Sequence, residues 1–180
     1  MKRLMVYSMV MIAATGAAAW AGEATSSAGA GSGRDGRGWA EAAAAYRGGG
    51  MGIAKADTHT GAINFGHGWS VGFDGRGLSL SSSFALAGKS GPAVGRTTNL
   101  HIGLDGTVSH GSGSVVAQGG AAREVTAGGA AGAHRSGPIA IANVGGRTTG
   151  GGRVEASAHT RTAHPTIRDL PGRPVRLVRR

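Results

Sequence analysis

The chain has 180 residues, of which 36 are Gly, 5 are Pro and none is Cys, with 19 basic against 9 acidic side chains and only 4% aromatics. Ala supplies 32 of the 72 hydrophobic residues, and Val, Ile, Leu and Phe together number 30, about 17%. That is below the roughly 20% under which a chain struggles to offset ordering entropy by apolar burial, so a large conventional core is excluded. A net charge of +10 is too small to force disorder by self-repulsion. Composition leaves a thin β-rich domain or a low-complexity segment. Arg outnumbers Lys 16 to 3, but a GC-rich genome would enrich Arg, Gly and Ala together without selection for function.

The amino terminus reads as an export signal. Lys2 and Arg3 form a positive start, Leu4 to Ala14 an apolar run interrupted by Ser8, and Ala19-Trp20-Ala21 an A-x-A cleavage site before Gly22. The run is too short for a bilayer of about 30 Å, which needs around 20 residues. Cleavage of residues 1–21 would leave a mature chain with no transmembrane segment, destined for the periplasm, the cell surface or the exterior. Exported domains with thin cores often rely on disulfides, and a chain without Cys has none to form.

Residues 22–61 read as a flexible Gly/Ala-rich leader. Within it WAEAAAAY, residues 39–46, is the one Ala-rich helical candidate, stopped by Gly48-Gly49-Gly50 and marginal alone at about two turns.

Residues 62–118 are expected to form a β-hairpin-rich core. Fifteen of the 30 Val, Ile, Leu and Phe residues lie between Ile63 and Val116, together with Trp69. Ile63, Phe65, His67, Trp69, Val71 and Phe73 alternate with Asn64, Gly66, Gly68, Ser70 and Gly72, which puts the large side chains on one face of a strand. Asp74-Gly75-Arg76-Gly77 is a turn signal. Beyond it Leu78, Leu80, Ser82, Phe84 and Leu86 are even-numbered, so an even-length loop keeps both apolar sets on one side. Leu100, Ile102 and Leu104, the turn Asp105-Gly106, and Val108, His110, Ser112, Ser114 and Val116 predict a second hairpin, with an odd-length loop such as 105–107 keeping parity. Residues 69–75 and 100–106 match in type at a spacing of 31, consistent with a duplicated hairpin.

Residues 119–160 echo the middle, since Lys89-Ser90-Gly91-Pro92 resembles Arg135-Ser136-Gly137-Pro138 and Val94-Gly95-Arg96-Thr97-Thr98 resembles Val144-Gly145-Gly146-Arg147-Thr148-Thr149. Apolar positions here are mostly Ala and Gly, so this segment would either add weak, closely approached strands or stay mobile. Residues 161–180 form a basic Arg/Pro tail with six Arg against Asp169. Its two prolines within four residues favour an extended, solvated chain, although Val175, Arg176 and Leu177 would also suit an edge strand. The expected fold class is mainly β, with antiparallel hairpins or a meander in the middle and Gly-rich low-complexity or disordered flanks.

Candidate chemistry is sparse. The seven His lack a helical HxxxH spacing and any Cys to complete a zinc set. His67 and His110 fall on the expected apolar faces, where they would meet or simply sit half-buried and hydrogen-bonded. Gly31-Ser32-Gly33-Arg34-Asp35-Gly36 partly fits a calcium nonapeptide, but Arg37 takes the apolar position and the unit does not repeat. Lys89-Ser90 lacks the glycine spacing and following helix of a phosphate loop. The nine acidic residues are scattered singly. Gly does not recur every third residue as in collagen, and eight aromatic residues are too few for the girdles of an outer-membrane barrel.

The sequence therefore predicts an exported, non-catalytic, Gly-rich protein with a structural, surface or matrix-associated role and no cofactor or metal. The alternative is a secreted polyanion-binding protein acting through Arg161, Arg168, Arg173, Arg176, Arg179 and Arg180. Its partners would be anionic polysaccharide, lipid headgroups or extracellular DNA. Self-association through sheet edges is a further expectation from flat Gly/Ser faces.

Overall fold

A computed structural model describes residues 21–33, 38–134 and 137–164. Residues 1–20 of the expected signal, 1–21, and the tail beyond residue 164 lie outside the described residues; Ala21, the last residue of that signal, lies in a strand. Ten antiparallel strands account for most of the described chain: β1 (Ala21–Ser32), β2 (Gly38–Arg47), β3 (Met51–His59), β4 (Ile63–Asp74), β5 (Gly77–Gly88), β6 (Ala93–Gly103), β7 (Val108–Gln118), β8 (Ala122–His134), β9 (Gly137–Thr149) and β10 (Arg153–Ala163). They form a four-stranded sheet, ordered β2-β1-β8-β9, and a six-stranded sheet, ordered β10-β7-β6-β5-β4-β3. The mainly β, antiparallel class read from the sequence is the class observed. No helix is present among the described residues, hence none long and apolar enough to cross a membrane.

The two predicted hairpins form with the expected parity. Phe73 faces Leu78 across a loop of two residues, 75–76. In the second hairpin Ile102 faces Val108. That loop is longer than the three residues expected, and is closed by Gly103 N–H to Thr107 O at 2.7 Å and Gly106 N–H to Gly103 O at 3.0 Å. The odd length preserves the face.

The flanks differ from expectation. Residues 39–46 are strand β2, not a helix, and the leader supplies β1, β2 and β3. The helix propensity of an Ala run is a weak prior that tertiary pairing overrides: Ala40, Ala42 and Ala44 sit opposite Ala30, Ala28 and Ser26 of β1, where longer side chains would hold the sheets apart. Strand β1 lies in the middle of its sheet, joined to β8 about a hundred residues later. Of the two outcomes left open for 119–160, strand formation is the one observed.

The largest departure concerns which face is inside. On β4 the buried residues are Asn64, Gly66, Gly68, Ser70 and Gly72, while the large odd-numbered side chains point away from the second sheet. On β5, Ser79, Ser81, Ser83, Ala85 and Ala87 are buried and Leu78, Leu80, Phe84 and Leu86 are outward. The core between the sheets is Ala28, Ala30, Ala85, Ala87, Ala93 and Ala117 with Val115 and Val125, continued by Ser, Thr, Asn and His101.

Sheets carrying ordinary side chains stack about 10 Å apart. Here the sheets are close enough for side chains of one to bond backbone carbonyls of the other. Ser70 donates to Thr25 O at 2.8 Å, Ser79 to Gly22 O at 3.1 Å and Asn64 to Gly31 O at 2.9 Å. Six residues along β4 match six along β1 in these bonds, so the strand axes stay aligned. At the centre a closed circuit joins three strands. Ser26 Oγ lies 2.7 Å from Ser81 Oγ and 2.8 Å from Ser83 Oγ; Ser81 donates to Asn99 Oδ1, Asn99 Nδ2 to Thr97 Oγ1 at 3.1 Å, and Ser83 to Thr97 Oγ1 at 2.9 Å.

The spacing tolerates no side chain at some positions. A Cβ on Gly66 would press on the Glu41 carbonyl and stand 2.9 Å from Gly29 O, and one on Gly68 would meet the Ala43 and Ser27 carbonyls. Substituting Gly66→Val must therefore push the sheets apart, at about 1–3 kcal/mol or more. Gly75→Ala, with nothing within 4 Å of the added methyl, is expected to change stability by less than about 0.5 kcal/mol. Urea unfolding of the two variants checks this; equal midpoints would contradict the close approach.

Candidate interaction surface

Because the interior is filled mostly by small and hydroxyl side chains, most of the bulky residues of the six-stranded sheet are gathered on its outer face. The strand registers arrange them in rows. Met51, Phe73, Leu78, Ile102, Val108 and Ala163 form the row at one end, and Ile53, Val71, Leu80, Leu100, His110 and Arg161 the next. At the opposite end Phe65, Leu86, Val94 and Val116 form a second apolar row. Between them run two mixed rows, in which His67, Ser82, Arg96, Thr98, Ser112 and His159 stand beside Trp69 and Phe84. Met51 is 78% exposed, Ile53 67% and Phe73 48%, and Leu104, in the adjoining turn, is 66% exposed. Exposed apolar residues gathered on one face make it the candidate interaction surface.

The outer face of the four-stranded sheet is different. It carries Gly29, Gly31, Ser27, Gly128 and Gly145 along its middle strands and rim. The Trp39 indole lies over Gly29 and Gly31, which leave it room. Beside it Glu41, Glu124, Thr126 and Arg147 line an open depression of about 180 Å³. A second, of about 310 Å³, lies at one end of the sandwich between Arg76, His101, Leu104 and Asp105 on one side and Ala133 and Pro138 on the other.

The histidines divide by face. His67 and His110 share the outer face, as their parity required, but β4 and β7 are three strand spacings apart, roughly 14 Å, so the two do not meet. His110 instead neighbours His159, with ring centroids 6.2 Å apart, and His159 Nε2 lies 2.9 Å from Ser112 Oγ. Strand β10, one of the weak strands left open for residues 119–160, brings His159 there. Among the described residues no group of three or more His, Asp or Glu is placed to hold a metal ion.

Of the six arginines read as a polyanion site, Arg161 sits in β10 opposite His110. Arg168, Arg173, Arg176, Arg179 and Arg180 lie outside the described residues. Arg161 is exposed, as is all of β10.

His101 is the one fully buried histidine among the described side chains. Its Nδ1 lies 2.9 Å from Ser79 Oγ, which donates its single proton to the Gly22 carbonyl. Ser79 thus joins His101 of its own sheet to the Gly22 carbonyl of the other, and with its proton given to Gly22 its oxygen is left to accept from Nδ1–H. Burial holds the His101 pKa below its ordinary value, against the opposing pull of Asp74 and Asp105.

That depression makes stability depend on pH. The unfolded imidazole titrates near 6.5, so its contribution is complete above about pH 6.5 and declines as pH falls toward the lower folded value. Burial raises the Glu23 carboxyl despite Arg47, an effect of opposite sign acting from about pH 4.5 upward. The urea midpoint is therefore expected to be lower at about pH 5.5 than at about pH 7.5, and His101→Asn to flatten the difference; an unchanged slope in that variant would assign the dependence elsewhere. No protein-family model matches this chain, and no curated protein or solved structure matches it.

Proposed function

We propose that this is an exported, non-catalytic structural protein of a cell surface, periplasm or matrix, associating through the outer face of its six-stranded sheet. The observation that carries the reading is the inversion of the sheet: small and hydroxyl residues hold the two layers together, and Met51, Ile53, Phe73 and Leu104 stand outside. Removing such side chains from water is worth about 1.5–3 kcal/mol each, and the fold does not draw on that energy. The export signal in residues 1–21 supports the destination.

The triple variant Met51→Ser, Ile53→Thr, Leu104→Ser alters only exposed positions and is expected to keep its circular dichroism spectrum. Its retention on phenyl-coated beads and in the wash-resistant surface fraction of the producing cell should fall by at least about tenfold. Retention equal to that of the parent chain would remove this reading.

A second reading, polyanion binding through Arg161 and the tail arginines, is favoured by charge placement. Residues 120–180 hold 10 basic against 3 acidic side chains, and residues 22–119 hold 7 against 6. Anionic polysaccharide, lipid headgroups or extracellular DNA would bind by charge, with an affinity that falls steeply with salt. Deleting residues 165–180 should abolish heparin retention at low salt, and retention that survives the deletion would exclude the tail.

A further inference from the structure

The six-stranded sheet ends in β3 on one side and β10 on the other. Each strand is hydrogen-bonded on one side only, β3 to β4 and β10 to β7, and every residue of both is exposed. Exposed edges are commonly blunted by shortness, proline, bulges or charged side chains. These two run to 9 and 11 residues, contain no proline, and pair with their neighbours without a register shift.

Three features fit the two edges to each other. The first is direction. Five successive antiparallel pairings separate β3 from β10, so the two strands run in opposite senses. A second copy, shifted sideways without rotation, therefore offers its β3 antiparallel to the first copy's β10.

The second is room. The four-stranded sheet is two strands narrower, so it leaves both edge strands overhanging. A neighbour can join the ladder without colliding with that layer.

The third is charge order. Lys55 and Asp57 stand two residues apart on β3, 3.1 Å from each other, and Arg153 and Glu155 stand likewise ion-paired on β10. Antiparallel pairing reverses one sequence against the other. It sets Lys55 opposite Glu155 and Asp57 opposite Arg153 in a single register, which also aligns Ile53 with Ser157 and keeps the outward faces on one side. Parallel pairing of the same four residues would set Lys55 against Arg153 and Asp57 against Glu155, and like charges directly opposite are destabilising.

We propose that copies of this chain add head to tail, β10 of one pairing antiparallel with β3 of the next in the Lys55–Glu155, Asp57–Arg153 register. The contact is heterologous and does not close, so it propagates as a filament in which the six-stranded sheet continues from copy to copy. The proposal deepens the structural reading above and rests on it: the filament repeats each patch of outward apolar side chains along one face, stepped by four residues from copy to copy.

The chain has no Cys, so introduced pairs report the contact cleanly. In the full exported chain, Ile53→Cys with Ser157→Cys should give, on oxidation, a ladder of disulfide-linked multimers; the two positions lie on opposite edges of one copy and cannot bridge within it. Ile53→Cys with Arg161→Cys, the pair that would meet if the rows of adjacent copies ran straight on, should give none. Sedimentation should show concentration-dependent growth. Lys55→Glu, at an exposed position, should raise the concentration for half-assembly about fivefold or more, and adding Glu155→Lys should restore it.

A ladder from the 53/161 pair would overturn the register. A folded chain that sediments as a monomer at every concentration, or a Lys55→Glu chain that assembles like its parent, would overturn the proposal. A monomer that phenyl beads still retain would do so while leaving the structural reading intact. Assembly by a chain that no surface retains would support the pairing and remove the surface role.

Discussion

Ser26 Oγ lies within 2.8 Å of two hydroxyls on the opposite sheet, and the rest of the molecule follows from that approach. A sheet spacing that lets a serine reach across to a backbone carbonyl leaves no volume for Val or Leu at most interior positions. Gly66 and Gly68 of β4 lie directly on carbonyls of β1 and β2. Cohesion then comes from hydrogen bonds worth about 1 kcal/mol net apiece and from close dispersion contact of small atoms. The unmade alternative is worse, because a buried hydroxyl or amide left without a partner costs about 1–3 kcal/mol. The circuit through Ser26, Ser81, Asn99, Thr97 and Ser83 gives each of these side chains at least one partner.

The same constraint organises the exterior. Residues too large for the interface occupy the other face of the same strands, since strand side chains alternate. The outer face of the six-stranded sheet is thus apolar as a direct complement of a small-residue interior. Trp39 shows the effect in reverse on the other layer, its ring lying on a bed made by Gly29 and Gly31. Tyr46 shows it at the margin, where its ring fits over Gly52 and Gly72 and its hydroxyl is buried without a partner.

The parity of both hairpins was legible because it depends only on alternation and turn chemistry, as the Phe73–Leu78 and Ile102–Val108 pairs show. Alternation states that two faces differ. It does not state which one is covered, and the usual assumption that large apolar residues face inward inverted β4 and β5. The signal that could have corrected it was present: the intervening residues Gly66, Gly68, Gly72, Ser79, Ser81 and Ser83 are all small, the composition a close interface needs. The place of β1 beside β8 was not legible, since pairing between residues such as Ala28 and Ala127 leaves no local pattern in an Ala-rich chain. The arginine cluster was legible only as charge, and Arg161 alone of the six acquires a position.

Composition pointed toward disorder because the threshold for folding is calibrated on apolar burial. A chain that replaces burial with spacing escapes that calibration, but accepts a stricter geometry. Two pairings, β1 with β8 and β7 with β10, join strands distant in sequence, and the central strand β1 is not flanked on both sides until β8 has been made. Closing such long loops before the contacts that repay them are formed makes folding slow in topologies of this kind. During that interval only the β3 edge of the six-stranded sheet is present, because β3 to β7 form a local meander and β10, the other edge, comes last in sequence. Pairing between copies therefore awaits β10, and by the time that strand exists all four strands of the second layer have preceded it, so sequence order couples edge-to-edge addition to a finished chain.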